Sequence, residues 1–135
     1  MSISDTKIRA AKTAAVYLTV SLFCSVFGAV YEFFSHGVYS AYMLFCFVPP
    51  LTLGCAVFFI IYLAGVNMPC RLAFNLYNSG VASITVGFIM NGVIEIYGTT
   101  NHLTLIYFIV GTAFIVAGVI TWIVGAAKLK KTIEK

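Results

Sequence analysis

The chain has 135 residues, 61% hydrophobic and 9% charged, with a mean hydropathy of +1.03. Soluble domains run about 45–50% apolar and about 25% charged, so too little polar side chain is present to cover a water-facing surface. The composition excludes a soluble globule. The net charge of +4 does not indicate nucleic acid either, because the cations flank apolar runs as membrane anchors do.

Lys7, Arg9 and Lys12 precede a first apolar run, predicted as a helix over about residues 12–34. It exceeds the 7–15-residue core of a secretory signal and no A-x-A pattern follows, so it reads as a retained helix. Ser21, Ser25, Gly28 and Glu32 recur along it at spacings of four, three and four. At helical periodicity they form one stripe, which reaches His36 if the helix continues that far. A second helix is predicted over about 41–64, bent by Pro49-Pro50. The carbonyls freed by these two residues need protein partners, since lipid offers none.

The connection 65–69 leads to a third helix over about 70–97. Gly80, Ser83, Gly87, Asn91 and Glu95 form a second stripe, and Asn91 with Glu95 at i, i+4 suits a side-chain hydrogen bond. Asn75 and Asn78, nearer its start, are expected to bond across to a neighbouring helix. After Gly98-Thr99-Thr100-Asn101, a fourth helix covers about 102–128. Gly111, Gly118 and Gly125 repeat there at seven residues, with Thr104 one period earlier. That seam serves packing inside the bundle or a homodimer face, and the period alone does not separate them.

Each run exceeds 18 mostly apolar residues, the length of a membrane span. The expected fold is an all-α integral membrane protein: residues 1–135 as one domain, with four transmembrane helices in an up-down-up-down bundle. All Lys and Arg fall in the two tails and the 65–71 connection, which predicts cytoplasmic termini (N-in/C-in) in a multi-pass cell-membrane protein. Tyr42 and Tyr62 in the second helix are 20 residues apart, about 30 Å, matching the hydrocarbon thickness.

Chemistry is concentrated at the other end. Apart from Asp5 and Glu134 in the tails, the acids are Glu32 and Glu95, and they share that end with His36 and His102. No Lys or Arg is there to neutralise them, so a cation is the natural partner. Glu32, Glu95, Asn91, His36 and His102 form the candidate ligand- or cation-binding set, with metal and cofactor undetermined. The function expected is a cation- or small-molecule-binding transporter or channel-like protein. One alternative is an accessory or assembly subunit of a larger membrane complex. Another is a haem- or metal-binding electron-transfer subunit using His36 and His102. Besides lipid, the expected partners are a second copy or a larger membrane protein. No nucleophile–base pair or phosphate loop points to an enzyme. Cys24, Cys46, Cys55 and Cys70 show no metal-ligand spacing and read as packing residues.

Overall fold

A computed structural model describes the backbone of residues 3–133 and the side chains of residues 4–128. Glu134 and Lys135, and the side chains of Lys130 and Lys131, lie outside the described residues. All regular structure among the described residues is helical, without a strand: α1 (Ile3–Phe33), α2 (Ala41–Leu44), a π-helical stretch (Pro50–Ala56), α3 (Val57–Ala64), α4 (Arg71–Ile96), a 3-10 turn (His102–Thr104) and α5 (Leu105–Ile133). Three segments are long and apolar enough to cross a membrane: Ser4–Phe33, Arg71–Ile96 and His102–Lys128. Leu22, Phe23, Ile60, Leu63, Ile109 and Ile123 are each more than half exposed, an exterior suited to lipid.

Helix α1 starts nine residues before the expected boundary. Thr6, Ala10 and Ala14, one turn apart, are buried; Ala10 and Ala14 pack with Phe58 and Ile61, giving the extra turns a tertiary contact. Asp5 in the first turn complements the positive end of the helix dipole. Most other ends fall close to the expected ones for local reasons, although α5 runs on to Ile133, beyond the expected 128. Gly65 (φ 63°) and Gly98 (φ 77°) adopt the left-handed conformation that closes a helix, and glycine does so without a Cβ penalty.

The second apolar run departs most from expectation. It is broken, not merely bent. Helix α2 stops after one turn, residues 45–47 form turns, and the chain is π-helical from Pro50 to Ala56 before α3 begins. Pro49 and Pro50 have no N–H to offer the Phe45 and Cys46 carbonyls, and Phe45 O accepts from Val48 N instead (3.0 Å). Neighbouring helices stitch the irregular backbone. Ser21 on α1 donates to Phe47 O (3.1 Å), Tyr77 on α4 donates to Leu53 O (2.7 Å), and Cys46 Sγ donates to Cys24 O (3.3 Å). The first two bonds tie carbonyls of the irregular run to α1 and α4, and the third ties its Cys46 side chain to α1.

Gly54, inside the π stretch, brings its backbone against the Tyr17 ring, which stacks on Phe58 (5.8 Å, 11° between planes). Tyr17 donates to Asn78 Oδ1 (2.7 Å), so Asn78 bonds across to another helix as expected, while Asn75 is exposed. Helices α4 and α5 pack along most of their length. Contacts that rise along α4 descend along α5: Ala73 and Tyr77 meet Gly118, Gly80 meets Gly111 and Ile115, and Gly87 meets Tyr107 and Phe108. The pair is antiparallel. Gly111 and Gly118 therefore face α4 within the chain, and Gly125 has nothing within 4 Å of where a Cβ would stand.

Candidate functional site

The two predicted stripes differ in what they face. On α4, Gly80, Ser83 and Gly87 turn to α5 and Asn91 to the 3-10 turn before it: Ser83 donates to Tyr107 O (3.0 Å), and Asn91 Oδ1 accepts from the Thr104 hydroxyl (2.7 Å). On α1, Ser21, Cys24 and Gly28 are buried against the second run while Ser25 is exposed, so its inward face is offset from the predicted stripe. Met43 of α2 is wedged between the first and third runs. Its carbonyl lies 2.7 Å from where a Cβ of Gly28 would stand, and its nitrogen 2.8 Å from that of Gly92. Glycine at both positions lets the backbones close on this single turn.

Ser40 organises the start of that turn. It is 1% exposed and caps α2 by accepting from Met43 N (3.4 Å). Its hydroxyl donates to Glu95 Oε2 at 2.5 Å, a short charge-assisted contact linking the second run to the end of α4. Asn91 donates from Nδ2 to Gly87 O (2.8 Å) as well as accepting from Thr104, so both ends of its amide are occupied. The expected Asn91–Glu95 bond is not made: Asn91 pins α4 to the 3-10 turn, and Glu95 turns to Ser40.

Between these elements lies a cavity of about 290 Å³. Glu95 and Asn91 line it from α4, His102 and Thr104 from the 3-10 turn, Tyr42 from α2 and Phe108 from α5. Its rim is built by local turn chemistry. Beyond Gly98, Asn101 Oδ1 accepts from Leu103 N (2.9 Å), while the buried Thr104 hydroxyl lies 2.7 Å from both Asn101 O and Asn91 Oδ1. Edge-to-face rings brace the wall: Tyr42 on Phe88 (5.8 Å, 65°) and Phe88 on Phe108 (5.6 Å, 70°).

Of the five residues singled out from sequence, Glu95, Asn91 and His102 thus line one cavity, and Glu32 and His36 do not. Glu32 Oε1 is buried with no hydrogen-bond partner among the described residues. His36 is exposed in the 35–40 connection at φ 55°, a left-handed turn residue. The joint cation site of Glu32 with Glu95 is not assembled around this cavity. No group of three or more His, Cys, Asp or Glu able to hold a metal occurs among the described residues. The four cysteines are free, and Cys24 and Cys46 are buried packing residues.

Sequence reasoning missed Ser40, Tyr42, Thr104 and Phe108 as site residues. The Ser40 signal was available: a Ser directly before an apolar run is an N-cap pattern. For the aromatic pair there was none, because Tyr and Phe are common throughout this chain. A search of protein-family models, of curated proteins and of solved structures finds no match to the chain.

Proposed function

We propose that this is a small multi-pass membrane protein that binds a small cation or small molecule at the Glu95 cavity, in the manner of a transporter or channel. In this reading the broken second run also traverses the bilayer, giving four spans in an up-down-up-down bundle. The termini and the 65–71 connection, which carry all the Lys and Arg, lie in the cytoplasm and the cavity opens outward. The observation that carries the reading is the cavity itself. It sets one carboxylate beside aromatic and polar walls, with no Lys or Arg anywhere between Arg71 and Lys128 to neutralise it. The test is ligand-dependent thermal stabilisation of the purified chain across a panel of inorganic cations and small molecules. Stabilisation by a panel member that is lost in E95Q supports the reading; a panel without effect, or one whose effect survives E95Q, overturns it.

A second reading, an accessory subunit in contact with a larger membrane partner or a second copy, draws on α5. That helix packs at backbone range mainly on α4, leaving an open groove along Thr112, Ala113, Val116 and Ala117. Small residues allow close approach of another helix in lipid. Purification in mild detergent separates the two readings: a co-purifying partner lost on Ala113→Leu favours the accessory role, and a monodisperse monomer counts against it.

A further inference from the structure

We infer that the ligand of the Glu95 cavity is an organic ammonium ion, a protonated amine carried on a compact apolar group. The inference rests on the binding role proposed for that cavity and narrows its ligand class. Four observations point to it.

The first is charge. Glu95 is the one acidic side chain on the cavity wall, and no Lys or Arg lines it. Ser40 occupies one carboxylate oxygen, and the other accepts from no side chain among the described residues. Glu95 is exposed, so water reaches that oxygen, and a single positive charge with N–H donors replaces the water there. The second is the use already made of the other oxygens. Hard metal ions take about six or more oxygen ligands. Here Asn91 Oδ1 already accepts from Thr104 and Asn101 Oδ1 from Leu103 N, which leaves each amide oxygen one lone pair, and Glu95 is the one carboxylate on the wall. No metal-holding group occurs among the described residues.

The third is the aromatic wall. Tyr42 and Phe108 line the same space as the carboxylate, and Phe88 holds both rings edge-to-face. A cation beside aromatic rings is attracted by their quadrupole even at a site open to water, as this one is, with Glu95 exposed and Tyr42 42% exposed. Rings fixed before binding lose little freedom on binding. The fourth is size. About 290 Å³ is near the lower end of small-molecule sites, roughly 300–1,000 Å³, and leaves room for a body beyond the charged head. Ile94 and Leu105 give that body an apolar lining.

The experiment is calorimetric titration of the full chain in detergent micelles with 2-phenylethylammonium, 2-phenylethanol, potassium chloride and calcium chloride. Wild type, E95Q and F108L are compared, with melting temperatures as the check on folding. Saturable binding of 2-phenylethylammonium is expected, weakened about tenfold or more in E95Q by loss of a charge-assisted contact. In F108L the loss is about two- to fivefold, the span of a cation–π contact at an exposed site. The alcohol should show no saturable binding. Equal binding of 2-phenylethanol, or ammonium binding unchanged in both variants, overturns the inference. Glu95-dependent binding of potassium or calcium without the ammonium overturns it while leaving the binding role intact. Binding of none of the four probes overturns the inference, and the wider ligand panel then decides the binding role. If E95Q fails to fold, F108L decides alone.

Discussion

Replacing Gly54 with Ala tests the contact on which the irregular second run depends. A Cβ at Gly54 would stand 2.1 Å from Tyr17 Cδ1, 2.3 Å from Cγ and 2.6 Å from Cε1, all atoms of one ring. Ordinary contact begins near 3.4 Å, so the ring must retreat by more than an ångström. It has little freedom to do so, being stacked on Phe58 and bonded through its hydroxyl to Asn78. Overpacking of this kind costs about 1–3 kcal/mol. A lost interhelical hydrogen bond in a membrane protein adds on average about 0.6 kcal/mol and at most about 1.7. The expected destabilisation is therefore roughly 2–4 kcal/mol. The assay is reversible unfolding in mixed micelles followed by circular dichroism, on G54A, Y17A and the double variant. With the ring removed the new methyl has room, so the double variant should be no less stable than Y17A alone. That non-additivity is the signature of direct contact. If G54A lies within about 0.5 kcal/mol of the wild type, or if the two substitutions simply add, the packing described here is wrong.

Other perturbations follow from the α4–α5 seam and the cavity rim. A Cβ at Gly80 would fall 2.6 Å from Gly111 O and 2.8 Å from Ile115 N, backbone atoms that cannot step aside. G80A should therefore cost about 2 kcal/mol or more in the same unfolding assay. G125A, with open space around it, should be neutral or stabilising by up to about 1 kcal/mol through helix propensity. T104V keeps the side-chain shape but leaves Asn91 Oδ1 without its donor. It should lower stability by about 0.6–1.7 kcal/mol and speed amide hydrogen exchange across residues 99–104, which mass spectrometry resolves. S40A removes both the cap of α2 and the donor to Glu95, and should cost about 1–2 kcal/mol. Retention of wild-type stability in S40A would mean that the bond to Glu95 is not formed in solution.

Most helix ends are legible in the sequence, but the early start of α1 and the break in the second run are not. The runs ending at Gly65 and Gly98 are written in local chemistry, a residue tolerant of positive φ, and Pro49-Pro50 mark an irregularity by lacking an N–H, though they announce a bend and not the break at residues 45–47. The sequence also located the polar end, since Glu32, His36, Glu95 and His102 are conspicuous among apolar neighbours. Which faces meet was decided only by tertiary structure. In a soluble protein apolar periodicity marks the side of a helix that turns inward; the long helices here carry apolar side chains on exposed and buried sides alike, and that signal disappears. Facing is set instead by close approach and cross-helix hydrogen bonds. This is why Gly111 meets Gly80, why Ser21 rather than Ser25 reaches the second run, and why Glu95 lines the cavity while Glu32 stays outside it. Such pairings depend on the rotation of each helix about its own axis, which one strand of sequence does not encode in isolation from its neighbours.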